Sequence, residues 1–260
     1  MEIQATNISK RYNQSWVFES LSFTIFSGEM VAIVGESGSG KTTLLNCLGQ
    51  LEELSTGELL INRGKLTKKK RRYFFQKDAG FLFQNFALID NETVKENLYL
   101  VTQDDVAIEE ALEQFNIASL LNEKVYTLSG GEQQRVALVR LLLKQPKIIF
   151  ADEPTASLDK ENGILVMKAL KELNKQGKTV IVVTHDQNLL TYFDRVLYLT
   201  ELKKLWVRKF QLSALLPALN IYFSPQIVYY LKVCINKVWC IKLNVIRRET
   251  NVCEMGKKRH

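Results

Sequence analysis

The pattern of apolar and polar positions divides residues 1–200 into short apolar runs and longer segments of helical periodicity. Short apolar runs predict buried strands, and alternation of polar and apolar residues predicts strands with one exposed face. The predicted strands are residues 3–9, 20–26, 30–34, 59–62, 80–83, 147–152, 179–184 and 195–199. Strands that alternate with helices indicate a parallel sheet covered on both faces, so the pattern predicts an α/β fold.

Helical spacing of apolar residues dominates residues 85–144, most clearly in 94–100, 108–115 and 133–144. This segment interrupts the alternation of strands and helices and is therefore predicted to be an inserted helical subdomain. Residues 162–176 form another amphipathic pattern, which Gly177 is expected to end. Its apolar positions are Ile164, Met167, Leu170 and Leu173.

A glycine-rich stretch that satisfies G-x-x-x-x-G-K-[ST] lies between the predicted strand 30–34 and a helix predicted to begin at Thr43. Its residues are Gly35, Glu36, Ser37, Gly38, Ser39, Gly40, Lys41, Thr42 and Thr43. Between a strand and a helix, the backbone N–H groups of such a loop can surround phosphates. We expect Lys41 to reach the β- and γ-phosphates and the Thr42 hydroxyl to bind Mg²⁺. The motif predicts binding of a nucleoside triphosphate.

Two carboxylates, Asp152 and Glu153, follow the apolar run 148–151 at the predicted carboxyl end of a strand. Open α/β sheets bind their ligands at that end. Asp152 is expected to hold Mg²⁺, directly or through water, and Glu153 to act as general base on the attacking water. By itself, an apolar run followed by Asp-Glu is as typical of a strand that ends in a polar turn as of a catalytic site. Together with the phosphate loop, the same pattern favours catalysis.

A second possible anion site lies at Ser129, Gly130 and Gly131, which precede an amphipathic helix. The N-terminus of a helix favours an anion because its N–H groups are unpaired and its dipole is positive there. The same residues also fit a capping box between Ser129 and Glu132. One nucleotide cannot lie on both helix starts.

Together these motifs resemble the ATP-binding cassette (ABC) ATPase family over residues 1 to about 200, and they occur in the order found in that family. They are an aromatic residue (Tyr12), Walker A (35–43), a Q-loop glutamine (Gln84), an LSGGQ-type signature (128–133), Walker B (148–152) with Glu153, a D-loop (157–159) and a switch histidine (His185). The resemblance implies a P-loop NTPase (RecA-like) core, an N-terminal antiparallel β part and the inserted helical subdomain.

The resemblance also implies a head-to-tail dimer in which the signature of one copy closes on ATP held by the Walker motifs of the other. Tyr12 would stack on adenine, Gln84 would sense Mg²⁺ and couple to a transporter, and His185 would position the water or the γ-phosphate. The implied catalytic residues are Glu153, His185 and Lys41; the metal ligands are Thr42, Gln84 and Asp152; and the signature and D-loop contribute Ser129, Gly130, Gly131, Glu132 and Asp159 to ATP binding. Taken singly, Tyr12, Gln84 and His185 also fit a surface aromatic, a strand-end polar residue and a hydrogen-bonded surface histidine.

Within that family the sequence is most similar to the lipoprotein-release, macrolide-efflux and antimicrobial-peptide export branch, above all to bacteriocin exporters. It departs from the parent pattern at Glu132, where Gln is usual, and at Ala156, where Gly is usual. The expected function is an ATPase subunit on the cytoplasmic face of the membrane that powers a separate permease. The alternatives are a soluble ABC ATPase acting on ribosomes or nucleic acid, and a peptide-sensing or immunity module.

The charge distribution bears on these alternatives. The chain carries a net charge of +7, from 35 Lys and Arg against 28 Asp and Glu. Residues 201–260 hold 12 basic against 3 acidic residues, so the first 200 hold 23 against 25. A slightly acidic body does not suit binding to a phosphate backbone, and no nucleic-acid partner is expected. Cysteines Cys47, Cys234, Cys240 and Cys253 have no metal-like spacing, which favours a reducing compartment.

Residues 201–260 depart from the family pattern in charge, in cysteine content and in lacking a glycine before Gly256. Residues 210–231 carry no charge, but Pro217, Pro225 and several polar residues argue against a membrane span. Three interpretations remain: a basic, aromatic segment lying on the membrane, an element packing on the permease, or an aberrant, frame-shifted gene end. The abrupt change favours the last.

Overall fold

The computed structural model describes residues 1–156 and 158–202. Its strands are β1 (Ile3–Tyr12), β2 (Ser15–Ile25), β3 (Met30–Val34), β4 (Thr56–Ile61), β5 (Ala79–Leu82), β6 (Ile148–Asp152), β7 (Thr179–Val183) and β8 (Arg195–Tyr198). Its helices are α1 (Lys41–Leu48), α2 (Lys68–Tyr73), α3 (Val94–Tyr99), α4 (Asp105–Gln114), α5 (Gly130–Lys144) and α6 (Lys160–Lys175). A π-helical turn spans Phe74–Asp78, and 3-10 turns span Ala118–Leu120, Val125–Thr127 and Gln187–Tyr192.

The central element is a five-stranded sheet in the order β5-β6-β7-β3-β8, with every neighbouring pair parallel. Ile33 of β3, for example, is paired with Val183 of β7 and Leu197 of β8. Successive side chains of a strand point to opposite faces, and here the faces enter different cores. Met30 packs in a cluster with residues of α5 and α6, whereas Val31 packs in a second cluster with residues of α1. The parallel sheet is therefore covered on both faces, as the sequence predicts.

A second, three-stranded sheet is antiparallel, in the order β2-β1-β4. Ile3 of β1 is paired with Ile25 on one side and Ile61 on the other. The inward residues of this sheet, including Ile3 and Phe18, share the α1-side core cluster with the parallel sheet. The α/β fold with a P-loop core, an antiparallel N-terminal part and helices inserted between β5 and β6 is confirmed.

The predicted bounds of the first two strands are wrong. The apolar pattern predicts strands over residues 3–9 and 20–26, but β1 continues to Tyr12 and β2 begins at Ser15. The pairing of β1 with β2 shifts register three times between Ala5 and Arg11. Each bulge adds an unpaired residue and interrupts the alternation of apolar and polar positions, so the pattern loses its period there.

Two helix starts also differ from the predictions. α1 begins at Lys41, not at Thr43, and α2 occupies part of the basic patch 65–72, for which no helix was predicted. α2 has no buried residue, which explains why its sequence shows no apolar periodicity.

Within residues 1–156 and 158–202, no helix has the length and apolar character needed to cross a bilayer. The three interpretations of the C-terminal region concern residues that the structure does not describe, from 203 to 260. Ser157 of the predicted D-loop also lies outside the described residues.

Candidate functional site

The phosphate-loop motif occupies the connection from β3 to α1. Gly40 immediately precedes α1 and has φ +97, a conformation that L side chains rarely adopt. A Cβ at this position would lie 2.3 Å from Cγ1 of Val17 in β2. The antiparallel sheet thus packs directly against the loop, and both sterics and backbone geometry require glycine at residue 40.

No side chain caps the N-terminus of α1. Helices α2 to α6 each begin at a Thr, Asp or Ser side chain that accepts a backbone N–H, whereas α1 has no such cap and no acidic residue in its first turn. The initial N–H groups of a helix have no intrahelical acceptor. This helix start therefore suits an anionic ligand.

Lys41 lies across the phosphate loop. Its side chain is 8% exposed, and Nζ donates to the carbonyl oxygens of Gly35 and Glu36, each at 3.0 Å. Among the described residues, no carboxylate forms a salt bridge with it. Carbonyl oxygens hold this ammonium without the negative charge of a carboxylate, so it can pair with a phosphate.

Thr42 and Asp152 meet at the end of β6, where the Thr42 hydroxyl donates to Asp152 Oδ1 at 3.1 Å. Burial raises the pKa of Asp152 and the Glu153 charge adds to this, while Thr42 and Lys41 oppose it. A hydroxyl and a carboxylate are the oxygen ligands that Mg²⁺ takes beside substrate phosphates, so these residues fit that ion. Gln84 is exposed, and its side chain makes no hydrogen bond within residues 1–156 and 158–202.

Glu153 and His185 follow the neighbouring strands β6 and β7, and their side chains touch. His185 Nδ1 lies 2.9 Å from Glu153 Oε1. The Glu153 side chain is 14% exposed and that of His185 is 66% exposed. Glu153 has φ +45, and its N–H donates to the Val183 carbonyl at 2.9 Å. Left-handed backbone at a residue other than glycine is strained, and here the hydrogen bond to β7 holds it.

Ser129 caps α5 through the predicted capping box, which is confirmed. Glu132 Oε2 accepts from the Ser129 N–H at 2.8 Å and from its hydroxyl at 2.6 Å. These bonds lower the pKa of Glu132. A Cβ on Gly130 would meet nothing within 4 Å, and one on Gly131 would lie 3.5 Å from Asn162 Nδ2. The helix start is open on the side of Gly130.

Asp159 caps α6, and its carboxylate accepts from the N–H and the side-chain amide of Asn162 at 2.9 and 2.5 Å. Arg135 Nη1 of α5 donates to Asn162 Oδ1 at 2.7 Å. Asn162 therefore joins the signature helix to the N-terminal end of α6.

Tyr12 is 48% exposed at the end of β1, and its hydroxyl donates to Glu52. Lys10 Nζ lies 4.9 Å from the centre of its ring, within cation–π range. The hydrogen bond to Glu52 raises the pKa of Tyr12.

The structure thus brings predicted residues of different motifs into contact at two places, Thr42 with Asp152 and Glu153 with His185. Gln84 takes part in neither contact. The sequence did not point to Glu52 or Val17. Neither belongs to a motif. Val17 lies on β2, which the antiparallel sheet places against the phosphate loop, and Glu52 lies in a loop and accepts a hydrogen bond from Tyr12, 40 positions earlier.

A phosphate loop follows β3, an interior strand of the parallel sheet, His185 follows the next strand, β7, and the acidic residues follow the strand beyond it, β6. This arrangement is typical of the class of P-loop ATPases. Comparison with known proteins narrows the class: the sequence profile described as "ABC transporter" matches residues 18–156. The chain belongs to the ABC transporter family, as an ATP-binding, ATP-hydrolysing subunit.

Three similar proteins illustrate the family. The bacitracin export ATP-binding protein BceA of Halalkalibacterium halodurans is 35% identical over 215 residues, covering 76% of this chain and 85% of BceA. The macrolide export ATP-binding/permease protein MacB of Campylobacter jejuni is 37% identical over 203 residues, covering 74% of this chain but 32% of MacB. The third is a solved structure of the ATP-binding cassette MJ0796 of Methanocaldococcus jannaschii, a dimer in a post-hydrolysis state bound to ADP and Pi. It superposes with a TM-score of 0.69 and is 35% identical, covering 75% of this chain and 93% of the MJ0796 chain.

Proposed function

We propose that two copies of this chain hydrolyse ATP head-to-tail and power a separate membrane permease that exports a bacteriocin or another peptide or amphiphile. The observation that carries the catalytic part is the contact of Glu153 with His185 at 2.9 Å, one residue beyond the Asp152–Thr42 pair. A general base and an acidic metal ligand thus follow consecutively on one strand, beside the phosphate loop.

In this proposal Glu153 takes a proton from water as the water oxygen attacks the γ-phosphorus. The bond from that phosphorus to the oxygen bridging it to the β-phosphate breaks, and the products are ADP and phosphate. His185 holds the Glu153 carboxylate from one side and, being mostly exposed, keeps Nε2 available to the water or the γ-phosphate. Lys41 and the uncapped start of α1 bind the phosphates of ATP, and Tyr12 stacks on adenine.

Mg²⁺ would be held by Thr42, Asp152 and Gln84, with the remaining positions filled by phosphate oxygens and water. When bound, the ion neutralises charge that develops on the phosphates. Ionised Asp152 is costly in its partly buried position, and a cation beside it would offset that cost.

The dimer is supported by the second helix start in the chain. Ser129, Gly130 and Gly131 lie at the open N-terminus of α5, and one nucleotide cannot occupy both this site and the phosphate loop. In the proposed dimer, these residues and Glu132 contact the γ-phosphate held by the other copy, and Asp159 lies near the composite site. The similar cassette MJ0796 is described as dimeric.

The permease partner is supported by the similarity to MacB, whose name joins an ATP-binding part to a permease, with this chain covering only 32% of it. Export is supported by the names of MacB and BceA. We therefore place the chain on the cytoplasmic face of the membrane, attached to the permease.

Glu153→Gln tests the catalytic and dimeric parts. Loss of a general base should lower ATP turnover by about 10²–10⁴-fold. With ATP, the variant should migrate as a dimer in size-exclusion chromatography with light scattering, whereas Glu153→Gln with Ser129→Arg should remain monomeric. Near-normal turnover would remove Glu153 from its role, and a dimer that persists with Ser129→Arg would refute the composite site.

The partner is tested by pull-down from detergent-solubilised native membranes with the Glu153→Gln variant and ATP. The matched control adds Lys41→Ala, which should abolish ATP binding and with it dimer-dependent recovery. A multi-span permease recovered only with ATP binding supports transport. Ribosomes or nucleic acid without a membrane protein would overturn it and favour the soluble alternative.

A further inference from the structure

Two cations on one side of α5 bind backbone carbonyls instead of carboxylates. Arg140 donates from Nη1 to the Ala87 carbonyl at 2.8 Å and from Nη2 to the Phe86 carbonyl at 3.0 Å. Lys144, one turn later, donates from Nζ to the Phe75 carbonyl at 2.7 Å. In the described part of the chain neither forms a salt bridge.

Burial lowers the pKa of Arg140, and it lowers that of Lys144 together with the nearby charge of Arg140. A partly buried charge is costly unless hydrogen bonds compensate for its lost hydration. The carbonyls bound by Arg140 provide that compensation, and nothing in the catalytic proposal uses this side chain.

The segment that Arg140 binds is strained. Phe86 and Ala87 have φ +61 and +49, so two consecutive residues with side chains adopt the left-handed conformation. That conformation is unfavourable for residues that carry a Cβ. The planar guanidinium donates to both carbonyls at once, and hydrogen bonds from a charged donor are the stronger kind. Arg140 therefore compensates for strain in the loop that begins two residues after Gln84.

The strand that leads to Gln84 is also held closely to α5. A Cβ on Gly80 of β5 would lie 2.4 Å from Leu141 Cδ1 and 2.7 Å from Pro146 Cγ. Lys144 binds the turn before β5, and Arg140 binds the loop after it. α5 thus contacts β5 itself at Gly80 and also binds the segments that precede and follow this strand.

We propose that Arg140 is a positioning residue for Gln84, holding the left-handed pair Phe86–Ala87 against α5 so that the glutamine is oriented by the helix that carries the signature. This inference rests on the proposed role of Gln84 as a ligand of Mg²⁺. Lys144 has no such role, because the carbonyl that it binds lies before β5, on the far side of the strand from Gln84.

The test compares Arg140→Met with Lys144→Met, which removes a similarly buried cation from the next turn of the same helix. The first readout is backbone hydrogen exchange of residues 84–90 in the nucleotide-free full chain. Loss of hydrogen bonds to a charged group costs about 1.5–3 kcal/mol, so exchange there should quicken about 10–100-fold in Arg140→Met. It should change little in Lys144→Met. Arg140→Lys, which keeps one donor, should be intermediate and serves if Arg140→Met does not fold.

The second readout is the Mg²⁺ concentration that gives half-maximal ATP hydrolysis. Removing a residue that orients a metal ligand lowers metal affinity by about 10-fold or more. Arg140→Met should raise the Mg²⁺ requirement about 10-fold without changing the affinity for ATP measured without Mg²⁺. Lys144→Met should leave both unchanged, and Gln84→Ala sets the size of the effect when the ligand itself is lost.

Faster exchange and a higher Mg²⁺ requirement in the Arg140 variant alone support the proposal. Equal acceleration of exchange in both methionine variants would overturn it, since α5 would then have loosened as a whole. An unchanged Mg²⁺ requirement in Arg140→Met, with an increased one in Gln84→Ala, would overturn the positioning role and leave Gln84 as a ligand. An unchanged requirement in Gln84→Ala would refute the ligand role itself and with it this inference.

Discussion

The contact between Gly40 and Val17 allows one prediction to be worked through in detail. Gly40→Ala places a methyl group 2.3 Å from Val17 Cγ1, a branched side chain on a paired strand that cannot easily move away. It also forces alanine to adopt φ +97. The left-handed backbone costs about 1–2 kcal/mol, and overpacking costs about 1–3 kcal/mol. The free energy of unfolding should therefore fall by about 2–5 kcal/mol, a large share of the roughly 5–15 kcal/mol typical of a domain.

The two contributions can be separated with Val17→Ala. Alone, this change should destabilise by about 1 kcal/mol, because Val17 is only partly buried. Combined with Gly40→Ala it removes the clashing methyl group, so the double variant should recover the overpacking share and retain the backbone strain. The expected coupling between the two changes is about 1–3 kcal/mol in favour of the double variant.

Urea unfolding of the four proteins gives the free energies, and an unchanged m value would show that the unfolded states are comparable. Titration with ATP should show weaker binding to Gly40→Ala, since the strained residue immediately precedes the N-terminus of α1. If the two destabilisations add to within about 0.5 kcal/mol, no coupling exists, and packing of β2 on the loop does not explain why residue 40 is glycine.

Three further outcomes follow from the site. Asp152→Asn should raise the melting temperature of the nucleotide-free protein at pH 7, because burial raises the pKa of Asp152 and its ionised form therefore destabilises the fold. This gain should vanish as the pH falls towards about 4, where Asp152 becomes protonated in both the folded and the unfolded protein. Equal melting temperatures of the two proteins at pH 7 would contradict the prediction. Tyr12→Ala should weaken ATP binding by about 10-fold, as expected for the loss of a stacked aromatic ring. In the same titration the ATP affinity of Tyr12→Phe should stay within about 3-fold of that of the unmodified protein. Equal losses of affinity in the two variants would show that the hydrogen bond to Glu52, and not stacking, is the important contact. Burial raises the pKa of the Cys47 thiol to about 12. Iodoacetamide at pH 8 should therefore leave Cys47 unmodified in the native protein and label it in urea, which peptide mass spectrometry can measure. Rapid labelling of Cys47 in the native protein would refute its burial.

The parallel core could be predicted because its strands are continuous apolar runs. Such runs can be recognised in the sequence without knowing which strands pair with one another. The strands β3, β6 and β7 were each predicted to within a residue or so. β1 was not, because its bulges destroy the alternation on which the prediction depends. α2 was missed for the opposite reason, since a helix without a buried face has no apolar period.

For the site, the sequence predicts candidate residues but not which of them touch. Glu153 and His185 are 32 positions apart, and only the parallel pairing of β6 with β7 brings them together. The left-handed backbone at Glu153, Phe86 and Ala87 could not be predicted from residue type, because none of the three residues is glycine. Their conformations follow from contacts with distant segments, which is why local patterns do not reveal them.

The order of strands in the parallel sheet has a consequence for how the chain is made. β3 ends at residue 34, but the strands on its two sides, β7 and β8, begin at residues 179 and 195. At about 5–20 residues per second, translation takes on the order of 10–30 s to supply these neighbours. During that time an entirely apolar strand has no edge to pair with, whereas the β1–β2 hairpin can already form. The nascent chain therefore exposes an apolar strand during synthesis, and we expect its soluble yield to fall when chaperones that act on growing chains are removed.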